Sequence, residues 1–109
     1  NIKEGFGPGI MLFRGSVIKE NQEGIKAFYR AYNKAVDLLN EKGDQYRSML
    51  VEKAGFPEET KDVLEFPQYQ KARIPDQKDV ASVLEWMKKK DMLKKDLTYD
   101  DLIWKGLTE

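Results

Sequence analysis

The chain has 109 residues, 40% hydrophobic and 35% charged, with 19 Lys+Arg balanced by 19 Asp+Glu. That length suits one compact domain, and zero net charge argues against a dedicated nucleic-acid binder, which usually carries a basic excess. With no Cys and no His, disulfide scaffolds, thiolate or imidazole metal sites, and Ser-His-Asp or Cys-His nucleophiles are excluded, and no apolar run reaches the length of a membrane span.

In chain order, residues 1–9 hold Gly5, Gly7, Pro8 and Gly9 and read as a loop. The chain opens at Asn1 without an initiator Met, as a processed protein or a piece of a larger one would. Residues 10–14 (Ile-Met-Leu-Phe-Arg) form a short apolar run between Gly9 and Gly15, the pattern of a buried strand. Ser16 is placed to cap a single helical turn that ends near Asn21.

Ile25, Phe28, Tyr29, Tyr32, Val36 and Leu39 then fall on one stripe of a 3.6-residue period, which predicts a helix over 22–42. Ala27, Ala31 and Ala35 form a smooth ridge beside that stripe, and Gly43 is expected to close the helix at C′. Asp44 should cap a second helix bearing Met49, Leu50, Val51 and Ala54 and ending at Gly55. Pro57 with Glu58 and Glu59 should open a short third helix carrying Val63 and Leu64. Residues 66–75, with two prolines, should be extended and laid over a surface, with Tyr69 and Ile74 as anchors.

Asp76 is expected to cap a fourth helix, with Val80, Val83, Leu84 and Met87 on its apolar stripe and Trp86 to one side. Thr98 and Asp101 have the spacing of a capping box, leading a last helix through Leu102, Ile103 and Trp104 to Gly106. A single strand among helices leaves both of its backbone edges unpaired. Either its partners come from another chain or from sequence elsewhere, or the segment is an apolar arm packed on the helices.

Candidates for chemistry are few. Glu58-Glu59 and Asp100-Asp101 are the adjacent carboxylates, and both suit the first turn of a helix. Lys88, Lys89, Lys90, Lys94 and Lys95 are interrupted by Asp91 and read as a solvated helix end. Gly5, Gly7 and Gly9 precede the expected strand, the wrong side for a dinucleotide fingerprint. Phe28, Tyr29, Tyr32, Trp86 and Trp104 fit a helical core better than a ligand pocket. Arg14, Gly15 and Ser16 stand where an apolar strand would meet a helical turn, the position from which α/β sheets contact anionic ligands. No cofactor and no metal is expected.

The order of these segments resembles a known family. Ser16-Val17-Ile18-Lys19-Glu20-Asn21 leads into Ile25-Lys26-Ala27-Phe28-Tyr29-Arg30-Ala31-Tyr32-Asn33-Lys34-Ala35, and later come Tyr69 to Pro75, Glu85-Trp86-Met87-Lys88 and Leu97 to Leu102. From about residue 8 to 104 this is similar to the C-terminal portion of the periplasmic solute-binding proteins of ABC importers, in the nitrate, sulfonate, taurine and thiamine-precursor group. The resemblance implies a mostly α chain with one short N-terminal strand, a fragment of an α/β periplasmic-binding-protein (type II) lobe. Residues 1–21 would be loop, strand and hinge, and residues 22–109 helical. It further implies a non-enzymatic scaffold, a small anionic or heterocyclic solute, the importer's membrane subunits as partners, and a place in the periplasm or at the extracellular face of the membrane. Strand pairing of residues 10–14 between copies is the corresponding expectation for assembly. The reading from a different class is an independent helical interaction module.

Overall fold

The computed structural model describes residues 10–108, and the glycine-rich stretch 1–9 lies outside them. Two compact units divide the chain: Asn1–Lys26 with Arg73–Glu109 in the first, and Ala27–Ala72 in the second.

The described residues are helical, with no strand and no sheet. This corrects the expected N-terminal strand and, with it, the α/β lobe fragment. Residues 10–14 run irregularly into α1 (Gly15–Glu20). The reason is elementary: a strand is held by the backbone groups of a neighbour, and no described segment offers any to residues 10–14. Ile10 and Leu12 are left 67% and 82% exposed.

In the first unit, the N-cap of α1 is Arg14, not Ser16: Ile18 N–H donates to the Arg14 carbonyl at 3.1 Å, and no side chain caps the turn. Ser16, expected as the cap, is therefore already inside the helix. Asn21 ends this turn and starts the next helix. Its N–H reaches the Val17 carbonyl at 2.9 Å, while its Oδ1 accepts Gly24 N–H at 3.2 Å. A side chain at Gly24 would run into the Asn21 amide, with 2.6 Å from the added carbon to either terminal atom.

The long helix α2 spans Gln22–Lys42, as its periodicity predicts. Farther along the first unit, α4 covers Gln77–Lys89 and α5 covers Tyr99–Leu102. Asp76 takes the N-cap position of α4 but makes no side-chain cap bond; its carboxylate lies 3.6 Å from Arg73. Val80, Leu84 and Met87 are half-buried, whereas Val83 and Trp86 face outward. The helix ends in a 6→1, 5→2 pair of bonds, Met92 N–H to the Met87 carbonyl (2.9 Å) and Asp91 N–H to that of Lys88 (3.1 Å). Asp91 consequently adopts φ 55°, a left-handed conformation that favours glycine.

The capping box of α5 forms as expected. Asp101 Oδ2 accepts Thr98 N–H at 2.8 Å and the Thr98 hydroxyl at 2.9 Å. These bonds, the backbone one first, hold the Asp101 carboxyl below its usual range. The helix stops earlier than predicted, since Ile103 is extended (φ −109°, ψ 121°) and Trp104 lies beyond it, exposed. Tyr99 Oη donates to the Pro75 carbonyl at 2.7 Å and ties α5 to the entry of α4. Among the described residues of this unit, Ile25 and Leu107 are the buried apolar ones.

In the second unit, α2 runs into a 3-10 turn at Gly43–Tyr46 and then α3 (Arg47–Ala54). Asp44 is not the cap of that helix; it lies within the 3-10 turn, where it pairs with Arg47. Gly55 (φ 72°) closes α3, with Phe56 N–H on the Val51 carbonyl at 3.0 Å. The expected third helix shrinks to a 3-10 turn at Glu58–Thr60. Thr60 N–H and Oγ1 both return to the Pro57 carbonyl, at 2.9 and 2.6 Å. Val63, placed on that helix's apolar face by the sequence, stands 75% exposed. Val36 and Val51 are this unit's buried apolar residues. No helix among the described residues is long and apolar enough to cross a membrane.

Candidate functional site

The most constructed feature of the second unit is the seating of residues 66–72 on α2. Asn33, Asp37 and Asn40 are spaced four and three apart and so share one face of the helix. Asn40 uses both ends of its amide on one residue: Nδ2 donates to the Tyr69 carbonyl, and Oδ1 accepts Tyr69 N–H, each at 2.9 Å. Asn33 Oδ1 accepts Ala72 N–H at 2.7 Å, and between them Lys71 Nζ lies 3.2 Å from Asp37 Oδ2.

The spacing is a matter of rise. Seven helical residues advance about 10.5 Å, and the three steps from Tyr69 to Ala72, taken extended, cover about 10 Å. Helix side chains thus replace the neighbouring strand that an extended segment would otherwise need. The sequence reading anticipated an extended, surface-laid segment with Tyr69 as an anchor. It missed that the anchoring is through the Tyr69 backbone, and it assigned nothing to Asn33 or Asn40.

Upstream, Phe66 packs against Gly43. A side chain at Gly43 would put its first carbon 2.9 Å from Phe66 Cδ2. The helix end therefore needs glycine for room rather than for the left-handed C′ conformation predicted. Arg47 lies over the same ring, with its guanidinium carbon 4.6 Å from the centroid. Its Nη1 donates to the carbonyls of Lys61 (3.1 Å) and Leu64, and its Nε to Asp44 Oδ1 at 2.8 Å. One guanidinium, planar and with donors in a fixed fork, closes the turn after α3. An open cleft of about 240 Å³ lies beside it, walled by Leu39, Asn40, Gly43, Asp44, Phe66 and Gln68 among others. Of its polar lining, Asn40 is engaged by Tyr69 and Asp44 by Arg47, while Glu41 and Gln68 also face it.

In the first unit, Arg14, Gly15 and Ser16 lie together at the start of α1, all exposed. A side chain added at Gly15 would meet open space. Among the described residues no other element sends a hydrogen bond or ion pair to them. Of the carboxylate pairs, Glu58 and Glu59 occupy the first turn of a 3-10 helix and Asp100 and Asp101 that of α5. No group of acidic residues that could hold a metal occurs among the described residues. The lysines after Trp86 are partly spent on local pairs, Lys89 with Glu85 and Lys88 with Asp96, each at 3.2 Å.

The aromatic residues depart from expectation. Phe28, Tyr32, Trp86 and Trp104 are exposed rather than core, because units this small bury a low fraction of their surface. Tyr29 is half-buried; burial, and secondarily the nearby Tyr32 phenol, raise its hydroxyl above the ordinary value. Phe28 meets Tyr29 edge to face, with centroids 5.4 Å apart, and lies 6.4 Å from Tyr32. No family model, no curated protein and no solved structure matches the chain.

Proposed function

We propose that this chain is the C-terminal scaffold of an extracytoplasmic solute-binding protein, which delivers a small anionic or heterocyclic solute to the membrane subunits of an ABC importer. The order of segments from Ser16 through Leu102 supports the reading, and the long helix α2 that follows Asn21 is compatible with it. The observation that carries it is the number of exposed large apolar side chains along the described residues, the consecutive Ile10, Met11 and Leu12 foremost. Ile10, Met11 and Leu12 stand in water, as do Leu102 and Trp104. Covering a side chain of this kind contributes about 1.5–3 kcal/mol, and the remainder of a solute-binding protein would supply the cover.

In this reading the chain performs no chemistry of its own. It works in the periplasm or at the extracellular face of the membrane, and Arg14, Gly15 and Ser16, adjoining the apolar run, are the residues offered to the solute. The same exposure favours a second reading, a free-standing helical interaction module that presents Val83 and Trp86, three apart on α4, to a partner helix.

Intact mass of the native gene product decides between them. The scaffold reading expects a polypeptide several times longer than 109 residues, recovered outside the cytoplasm and stabilised against heat by one member of a panel of small anions and heterocycles. A native product ending at both termini of this chain overturns it and leaves the module.

A further inference from the structure

We draw no further inference here: the strongest candidate, the outward face of α4 where Val83 and Trp86 stand exposed beside Lys90, is an unpartnered apolar face, and nothing in the structure shows what covers it.

Discussion

Asn40 offers the sharpest test of how this chain is held together. N40A deletes both bonds to the Tyr69 backbone, each 2.9 Å long. A hydrogen bond contributes about 0.5–1.5 kcal/mol net, and here the freed backbone groups are exposed enough to turn to water, which points to the low end for each. The loss is then about 1 kcal/mol, equivalent to roughly fivefold in the opening equilibrium of the strap. Amide hydrogen exchange measures it directly. Tyr69 N–H should exchange about fivefold faster, while Gly24 N–H, bonded to Asn21 in the other unit, should not change.

N40D sharpens the test, because it keeps the acceptor for Tyr69 N–H but replaces the donor. At neutral pH a carboxylate oxygen then faces the Tyr69 carbonyl where Nδ2 stood, and the deficit should match or exceed that of N40A. Protonation supplies an O–H that can donate to that carbonyl, so the folded state raises the pKa of the introduced carboxyl. Stability from a raised group is present below the unfolded pKa and lost as pH rises through the folded one. The N40D deficit relative to wild type should accordingly shrink as pH falls through that raised value and be smallest below about 4. Equal Tyr69 exchange in wild type and N40A would refute the claim that helix side chains hold the strap.

Other expectations are independent of this one. G43A should destabilise by about 1–3 kcal/mol in urea titration, since the new carbon would sit 2.9 Å from Phe66 Cδ2; a more stable variant would show that only chain entropy mattered there. R47K should cost about 1–3 kcal/mol through the carbonyl bonds and the stacking that an ammonium cannot reproduce, whereas D44N, at an exposed carboxylate, should stay within about 0.5 kcal/mol. D91G should raise stability by up to about 1 kcal/mol by relieving a left-handed non-glycine residue, and a fall in melting temperature would contradict the Met92 and Asp91 capping geometry. Asp101 has a depressed pKa, so its capping contributes above the ordinary carboxylate range and fades as pH falls through the lowered value. Thr98 amide protection should therefore decline with acid in wild type and lose that pH dependence in D101N, whose amide oxygen still accepts but does not titrate.

Much of the local structure was legible because its causes are local. The bounds of α2 follow from a stripe of apolar residues about four turns long, the α5 capping box from Thr98 and Asp101 three apart, and the end of α3 from Gly55. The interruption of α4 was less legible, since its left-handed terminator is Asp91, a residue that also serves as an ordinary surface charge. The candidate ligand residues Arg14, Gly15 and Ser16 were placed at a strand-to-helix junction. The structure keeps the helix start there, moved forward to Arg14, but not the strand.

By itself, then, the sequence determined the positions of the long helices, the lack of any thiol or imidazole, and that residues 66–75 join no helix. Tertiary structure alone decided whether residues 10–14 join a sheet, because a strand exists only with the backbone of a neighbour, and none is offered among the described residues. It also decided why Gly43 is glycine and what Asn33 and Asn40 do: Phe66 lies 23 positions from Gly43, and the amides bind residues 39 and 29 positions away. Period and spacing along the chain report on neighbours within a turn or two; partners that far apart are found only when the chain has folded back on itself.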